Sequence, residues 1–492
     1  MVTTSVPISA PSWSVALRRK LPTAAVALGL GLLVAAGCRT SPPPPTSSHV
    51  RALETPLDRY VAAPDPAYSW KAVTNAHVDG VTVTIIDLTS QSWLTTNEVN
   101  RTVWRHWLIV AKPDQVEHST GLLFISGGNN KDQKLPKPSP QLIEVARQTR
   151  SVAAELKMVP NQPLIFGQDG RERVEDDLIA YTWDKFLRTG DAQWPARLPM
   201  TKSAVRAMDT VTAFCASPAG GGSKVDTFVV AGGSKRGWTT WTTAIVDKRV
   251  VAISPIVIDL LNIVPSFEHH YRAYGFFAPA VQDYVDAGIM DWMGRPEFDQ
   301  LMRIVEPFQY RSRLTMPKLM LNACGDQFFL PDSSQFYFDR LPGAKYLRYV
   351  PNTDHSMKDS DAWETLIAWH YANITQTPLP RFSWTHEGPG GFRVQTSDQP
   401  VEVKLWQATN LNARDFRLET LGKAWFSTVL QPQRPGVYTA VIDKPEQGWR
   451  AGVIELTYKL PGSPTPLKLT TDVRVVPDVL PHGPYQPKST RR

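Results

Sequence analysis

Cysteine is scarce in this chain, with three in 492 residues. They are Cys38, Cys215 and Cys324, too few for a disulfide framework, so stability has to come from a buried apolar core. The length and 42% hydrophobic content suit two to three domains of ordinary globular composition. Basic clusters are also lacking. The formal charge of +7 is spread along the chain, which argues against a nucleic-acid partner and allows at most a mild attraction to anionic surfaces. The triple glycine Gly220–Gly222 is not followed by the Gly-Lys-Ser/Thr of a phosphate loop, and reads as a turn. The adjacent pair His269–His270 points about 100° apart on a helix, and no acids sit at ligand spacing, so neither a metal nor a cofactor is implied.

The apolar stretch Ala24 to Ala36 is too short to span a bilayer. Preceded by Arg18-Arg19-Lys20 and ending in Val34-Ala35-Ala36-Gly37-Cys38, it reads as an export signal over residues 1–37 with a lipid-acceptor cysteine. Cys38 is then the expected lipidation site and membrane anchor, and Arg39 after it favours the outer membrane of a two-membrane cell. Removing residues 1–37 takes three positive and no negative charges, so +7 becomes +4. Residues 38–55, with Pro42 to Pro45, read as an extended tether. Cys215 and Cys324 remain, as a possible pair or as two buried thiols.

Strand-like runs at Val81–Ile86, Val103–Val110, Gly121–Ser126, Thr227–Ala231, Val250–Ile258, Lys318–Ala323 and Tyr346–Val350 alternate with helical patterns. That alternation predicts an α/β domain over residues 56–378 with a mostly parallel sheet. A helix is expected from about Gln141 to Met158, a loop or insertion over 167–200, and an aromatic helical cap over about 263–312. After Pro380 period-two runs replace the helical ones, and Pro-Gly turns separate them. This predicts a β-sandwich domain over 379–478, followed by a disordered basic tail, 479–492.

The most informative residue is Ser234. It follows the apolar run Val229-Val230-Ala231 and two glycines, and precedes Lys235-Arg236-Gly237-Trp238 and an amphipathic helix. Strand, cramped turn, then helix is the layout of a nucleophile elbow, although Arg236 stands where strict Gly-x-Ser-x-Gly has glycine. Loops at the carboxyl ends of parallel strands converge. Two further loops of that kind hold Gly325-Asp326-Gln327-Phe328-Phe329-Leu330-Pro331-Asp332 and Val350-Pro351-Asn352-Thr353-Asp354-His355. A serine hydroxyl needs a base to take its proton, and an imidazole changes charge near neutral pH. The imidazole in turn needs an acceptor on its other nitrogen. Ser234, His355 and Asp326 are the candidate catalytic residues, with Asp332 and Asp259 as rivals for the acid. The Lys235 backbone N–H and one near Gly127-Gly128 are candidate oxyanion donors, Gly128 being the favoured second position. Arg236 has two readings, as a group for a substrate carboxylate or as a partner of an acidic side chain.

These motifs, Gly232–Trp241, Gly325–Ser334 and Val350–Ser356, resemble the PhoPQ-activated pathogenicity-related protein family over most of the chain from about Pro56. The resemblance implies an exported protein with an α/β-hydrolase fold, and maps onto Ser234, Asp326 and His355. It implies no particular substrate. The expected activity is serine-dependent cleavage of an ester, or second an amide of a short peptide, through an acyl-enzyme. The competing expectation is a catalytically silent surface lipoprotein that binds envelope glycan or host protein.

Overall fold

The computed structural model describes residues 54–132 and 134–488. The export segment 1–37, Cys38, the tether as far as residue 53 and the last four residues lie outside the described residues. Among the described residues no helix is long and apolar enough to cross a membrane.

Among the described residues nineteen strands run in chain order: β1 (Ser69–Val78), β2 (Val81–Ser92), β3 (Val103–Pro113), β4 (Thr120–Ile125), β5 (Ala153–Leu156), β6 (Leu164–Ile165), β7 (Glu172–Arg173), β8 (Thr227–Gly233), β9 (Val250–Ile256), β10 (Lys318–Ala323), β11 (Lys345–Val350), β12 (Phe382–Glu387), β13 (Gly391–Thr396), β14 (Glu402–Asn410), β15 (Phe426–Val429), β16 (Val437–Val441), β17 (Trp449–Tyr458), β18 (Leu467–Thr470) and β19 (Arg474–Val476). The central sheet has the order β1-β2-β3-β5-β4-β8-β9-β10-β11-β18-β17-β14-β15, with β19 paired to β17. From β5 to β11 neighbouring strands are parallel.

β8 shows why this centre is continuous apolar sequence. Phe228 and Val230 face one core, and Val229 and Ala231 the other. A strand buried on both faces cannot alternate with polar residues. The helices Arg197–Ala216 and Lys235–Val246 contribute Met208, Val211, Trp238 and Trp241 to the first core. Pro140–Thr149 and Ala362–Thr375 contribute Val145, Leu366 and Trp369 to the second.

Four expectations need correction. The helix expected over 141–158 ends at Thr149, where Arg150 turns left-handed (φ 49°). Residues 153–156 are the strand β5, and being buried on both faces they carry no period-two signal. Residues 167–200 are not a loop, since they contain the helix Glu175–Thr189. Its acidic first turn, Glu175-Asp176-Asp177, complements the helix N-terminus. The boundary at 379 does not separate two bodies. β18 pairs antiparallel with β11 through Leu347 and Thr470, so the C-terminal strands continue the central sheet, while β12-β13-β16 form a small second sheet. Covering the exposed edge of β11 in this way satisfies its backbone groups. Buried Arg348 on β11 stitches the junction, bonding Glu455 on β17 and, at 2.9 Å, Asp361. Finally, the expected tail is fixed as far as residue 488. Tyr485 donates to Asp291 (2.6 Å) and packs on Tyr271 and Phe277, and the His482 N–H donates to the Arg272 carbonyl (3.0 Å).

The 263–312 segment is helical, as Ile263–Tyr274, Gln282–Asp286, Pro296–Val305 and short 3-10 turns, and it packs with Glu175–Thr189 over the carboxyl ends of the strands.

Candidate active site

Ser234 sits between β8 and the helix Lys235–Val246 with φ 57° and ψ −123°, a left-handed conformation that costs a non-glycine residue roughly 1–3 kcal/mol. Backbone bonds hold it there. Its N–H donates to the Ile256 carbonyl (2.8 Å), and its carbonyl accepts from Trp238 (3.0 Å). The turn also explains the displaced glycine. A Cβ on Gly232 would meet the Arg236 carbonyl oxygen at 2.8 Å, and one on Gly237 would meet the Gly232 and Ile256 carbonyl oxygens at 2.9 Å. Gly233 has no such neighbour. The tight approaches therefore fall at 232 and 237, and position 236 tolerates arginine. Trp238 Nε1 ties the helix to the cap by donating to the Val305 carbonyl (2.7 Å).

Asp326 follows β10 and His355 follows β11, and the two loops are braced together. The Gly325 N–H donates to the Thr353 carbonyl (3.1 Å), and the His355 N–H donates to Gln327 Oε1 (3.0 Å). Asp326 is buried, accepts from the Phe328 N–H (2.7 Å), and faces His355 Nδ1 at 2.8 and 3.0 Å. The other ring nitrogen, Nε2, is buried and has no hydrogen-bond partner. No hydrogen bond joins it to the Ser234 hydroxyl. A buried imidazole nitrogen without a partner needs an explanation, and a catalytic role is one.

The rival acids are engaged elsewhere. Asp259 accepts from the Tyr337 and Tyr349 hydroxyls (2.5 and 2.6 Å); burial, aided by the nearby Asp326 and Asp332 charges, pushes its carboxyl up to about 7. Asp332 is clasped by Arg414 (2.5 Å) and His269 (3.1 Å). Burial works against its charge, but Arg414 and His269 hold it far below the usual carboxylate range. His270 does not share this pairing. Its Nε2 accepts from the Ala278 N–H (2.9 Å), and burial lowers it to about 3. Cys215 and Cys324 are both buried and unpaired.

The two residues after Ser234 carry charges that the fold neutralises. Lys235 Nζ meets Asp176 (2.6 Å) and Glu175 (3.2 Å), and Asp176 also accepts from Tyr284 of the cap (2.9 Å). Arg236 forms a bidentate pair with Glu175 (2.8 and 2.7 Å) and bonds the Val159 carbonyl. Burial would raise the Glu175 carboxyl, but Arg236 and Lys235 hold it at about 2. Of the two readings for Arg236, the structure places it with an acidic side chain. Its guanidinium lies beneath Gly127, where a Cβ would come within 2.6 Å of Nη2. Gly128, at φ 149°, packs on Met158 in the loop after β4, the strand beside β8. Arg197 fixes the Lys235 peptide by donating to its carbonyl (3.0 Å).

Two cavities open at this site, and Phe328 lines both. One is largely enclosed and holds Ser234 and Lys235 among Trp238, Phe267, Met290 and Phe298. The other is open and holds His355 with Gln327, Asp354, Ser356 and Glu419. The Phe328 ring lies 4.3 Å from the His355 ring. Sequence reading missed Phe328, the Glu175–Asp176 pair, Tyr284 and Arg197. The acidic triplet at a helix start was the one available signal.

The family model described as PhoPQ-activated pathogenicity-related protein matches residues 57–417. Autocrine proliferation repressor protein A of Dictyostelium discoideum is 39% identical over 457 residues, covering 87% of this chain and 92% of that protein. Solved structures similar in part include an acetyl xylan esterase from Paenibacillus sp. R4. It has 14% identity and a TM-score of 0.43, over 61% of this chain and 90% of that one. Another is acetyl xylan esterase 1 from Thermoanaerobacterium sp. JW/SL YS485, with 13% identity and a TM-score of 0.44, over 65% and 92%. The family-model match over residues 57–417 and the 39% identity to the Dictyostelium protein, on a parallel-stranded sheet with a serine at the turn after β8 that is laid out as an α/β-hydrolase fold, show that the chain belongs to the PhoPQ-activated pathogenicity-related protein family.

Proposed function

We propose that this protein is a serine hydrolase that cleaves an ester through an acyl-enzyme, with amides of short peptides as the second choice. Ser234 Oγ attacks, His355 Nε2 takes and returns the proton, and Asp326 holds the imidazole in the right tautomer. The Lys235 N–H, with a second donor at Gly128, stabilises the oxyanion. The observation that carries this reading is the Asp326–His355 pair with its outer nitrogen left free, at the same sheet edge as a serine held at positive φ. The missing Ser234–His355 bond is compatible with it, because catalytic hydrogen bonds in unliganded enzymes are often long and tighten with substrate. We further propose export with a lipid anchor at Cys38, on the N-terminal pattern alone.

The test is a fluorophosphonate probe on the purified chain. Wild type is expected to label and Ser234→Ala not to. Absence of labelling in wild type, or equal labelling of both, contradicts the reading. The name of the Dictyostelium relative describes a repressor of proliferation, which favours a second reading in which this chain acts by binding. Full biological activity of Ser234→Ala would support that one instead.

A further inference from the structure

The two cavities flanking Phe328 differ in size and chemistry, and the difference specifies a substrate. We infer that the bond cleaved joins a short apolar acyl group to a large polar alcohol. This rests on the reading that Ser234 is the nucleophile and His355 its base.

The path of the proton fixes where each half of the substrate lies. In the first half-reaction the Ser234 Oγ–acyl carbon bond forms while the Oγ proton passes to His355 Nε2. The acyl carbon–alkoxy oxygen bond then breaks, and that oxygen takes the proton from Nε2 and leaves as the alcohol. In the second half a water gives a proton to Nε2 and its oxygen bonds the acyl carbon. Ser234 Oγ departs with that proton, and the product is a carboxylic acid. The alcohol must therefore lie against His355, and the acyl chain on the other side of Ser234.

The His355 side has a free volume of about 400 Å³ and is open to solvent. Gln327, Asp354, Ser356 and Glu419 line it and offer both donors and acceptors, which suits a hydroxyl-rich alcohol. The Ser234 side is largely enclosed, with a free volume of about 40 Å³. That is about a tenth of the volume on the His355 side, so the space suits a short acyl group. Its walls resist expansion. Trp238 and Phe298 are 1% exposed, and Met290 is 3% exposed. Closely packed walls of this kind accept an added methylene only with strain. Asp176, Arg197, Lys235 and Tyr284 also line this side, but they are engaged with one another: Lys235 Nζ is held by Asp176 and Glu175, Tyr284 donates to Asp176, and Arg197 donates to the Lys235 carbonyl, which leaves the apolar walls to meet the acyl chain.

The test uses the full chain and acetyl, butyryl and octanoyl esters of one chromogenic alcohol. The acetyl or butyryl ester is expected to exceed the octanoyl ester in kcat/KM by about tenfold or more, the scale on which a closed pocket discriminates chain length. Met290→Ala is expected to raise the octanoyl/acetyl ratio, and Val281→Ala, a smaller truncation of the same wall, serves if the first variant does not fold. Acetate release from an acetylated disaccharide is expected to match that from acetylated glucose. A preference for octanoyl, an unchanged ratio in both variants, or exclusion of the disaccharide overturns the substrate assignment. If these occur while Ser234 still labels with fluorophosphonate, the serine-hydrolase reading stands without it. If no ester is cleaved and Ser234 does not label, both fall.

Discussion

Two aspartate–histidine pairs grow from the same loop after β10, and their surroundings set them apart. Asp332 meets His269, but it also meets Arg414, and both of its partners are buried. A permanent guanidinium neutralises that carboxylate, so its imidazole is one member of a closed cluster. Asp326 meets His355 with no cation beside it, and only backbone N–H and imidazole donate to it. His355 keeps its second nitrogen unpartnered beside a cavity. An Asp–His contact alone is therefore not evidence of a base. What distinguishes one is a carboxylate reserved for the imidazole, and a free ring nitrogen beyond it.

Substitution separates the two pairs. The largest expected effect is in Asp326→Asn, which should lower kcat by roughly 10³–10⁴-fold with little loss of folded protein, because the imidazole loses its orienting acceptor. Steady-state kinetics with circular dichroism checks both halves. Asp332→Asn should do the reverse. Leaving buried Arg414 uncompensated costs about 3–5 kcal/mol of stability, read by urea unfolding, while the folded enzyme keeps its kcat.

Asp259 gives a third contrast, an acid with neither cation nor imidazole. Its carboxyl is raised to about 7 from an unfolded value near 4, so its stabilising contribution is complete below about pH 4. That contribution is lost as pH climbs through about 7. Thermal unfolding of wild type minus Asp259→Asn should show a difference that shrinks over this window, and a flat difference would refute the assignment. The smallest effect is at the elbow. Ser234→Gly relieves the positive φ and should raise stability by about 1 kcal/mol. A less stable glycine variant would show that the turn is not strained.

The motif loops were legible in the sequence because each joins an apolar strand to a candidate site residue: Val229–Ala231 to Ser234, Leu319–Ala323 to Asp326, and Leu347–Val350 to His355. The cap was legible from its aromatics. The C-terminal strands were legible as strands but not as part of the central sheet, because pairing at β11 is set by an edge that no local pattern announces. The β5 strand was hidden for the opposite reason, being buried on both faces. Asp176, Tyr284 and Arg197 are brought to Lys235 from three separate helices, and no spacing in the chain connects them. Phe328 was within a quoted motif, but its position between two cavities is a property of the folded loop.

The most direct measurement is the rate of fluorophosphonate labelling in two variants side by side, His355→Gln and His269→Gln. Labelling of Ser234 is expected to collapse in the first and to stay near the wild-type rate in the second. Equal rates in the two, or a collapse only with His269→Gln, would contradict it.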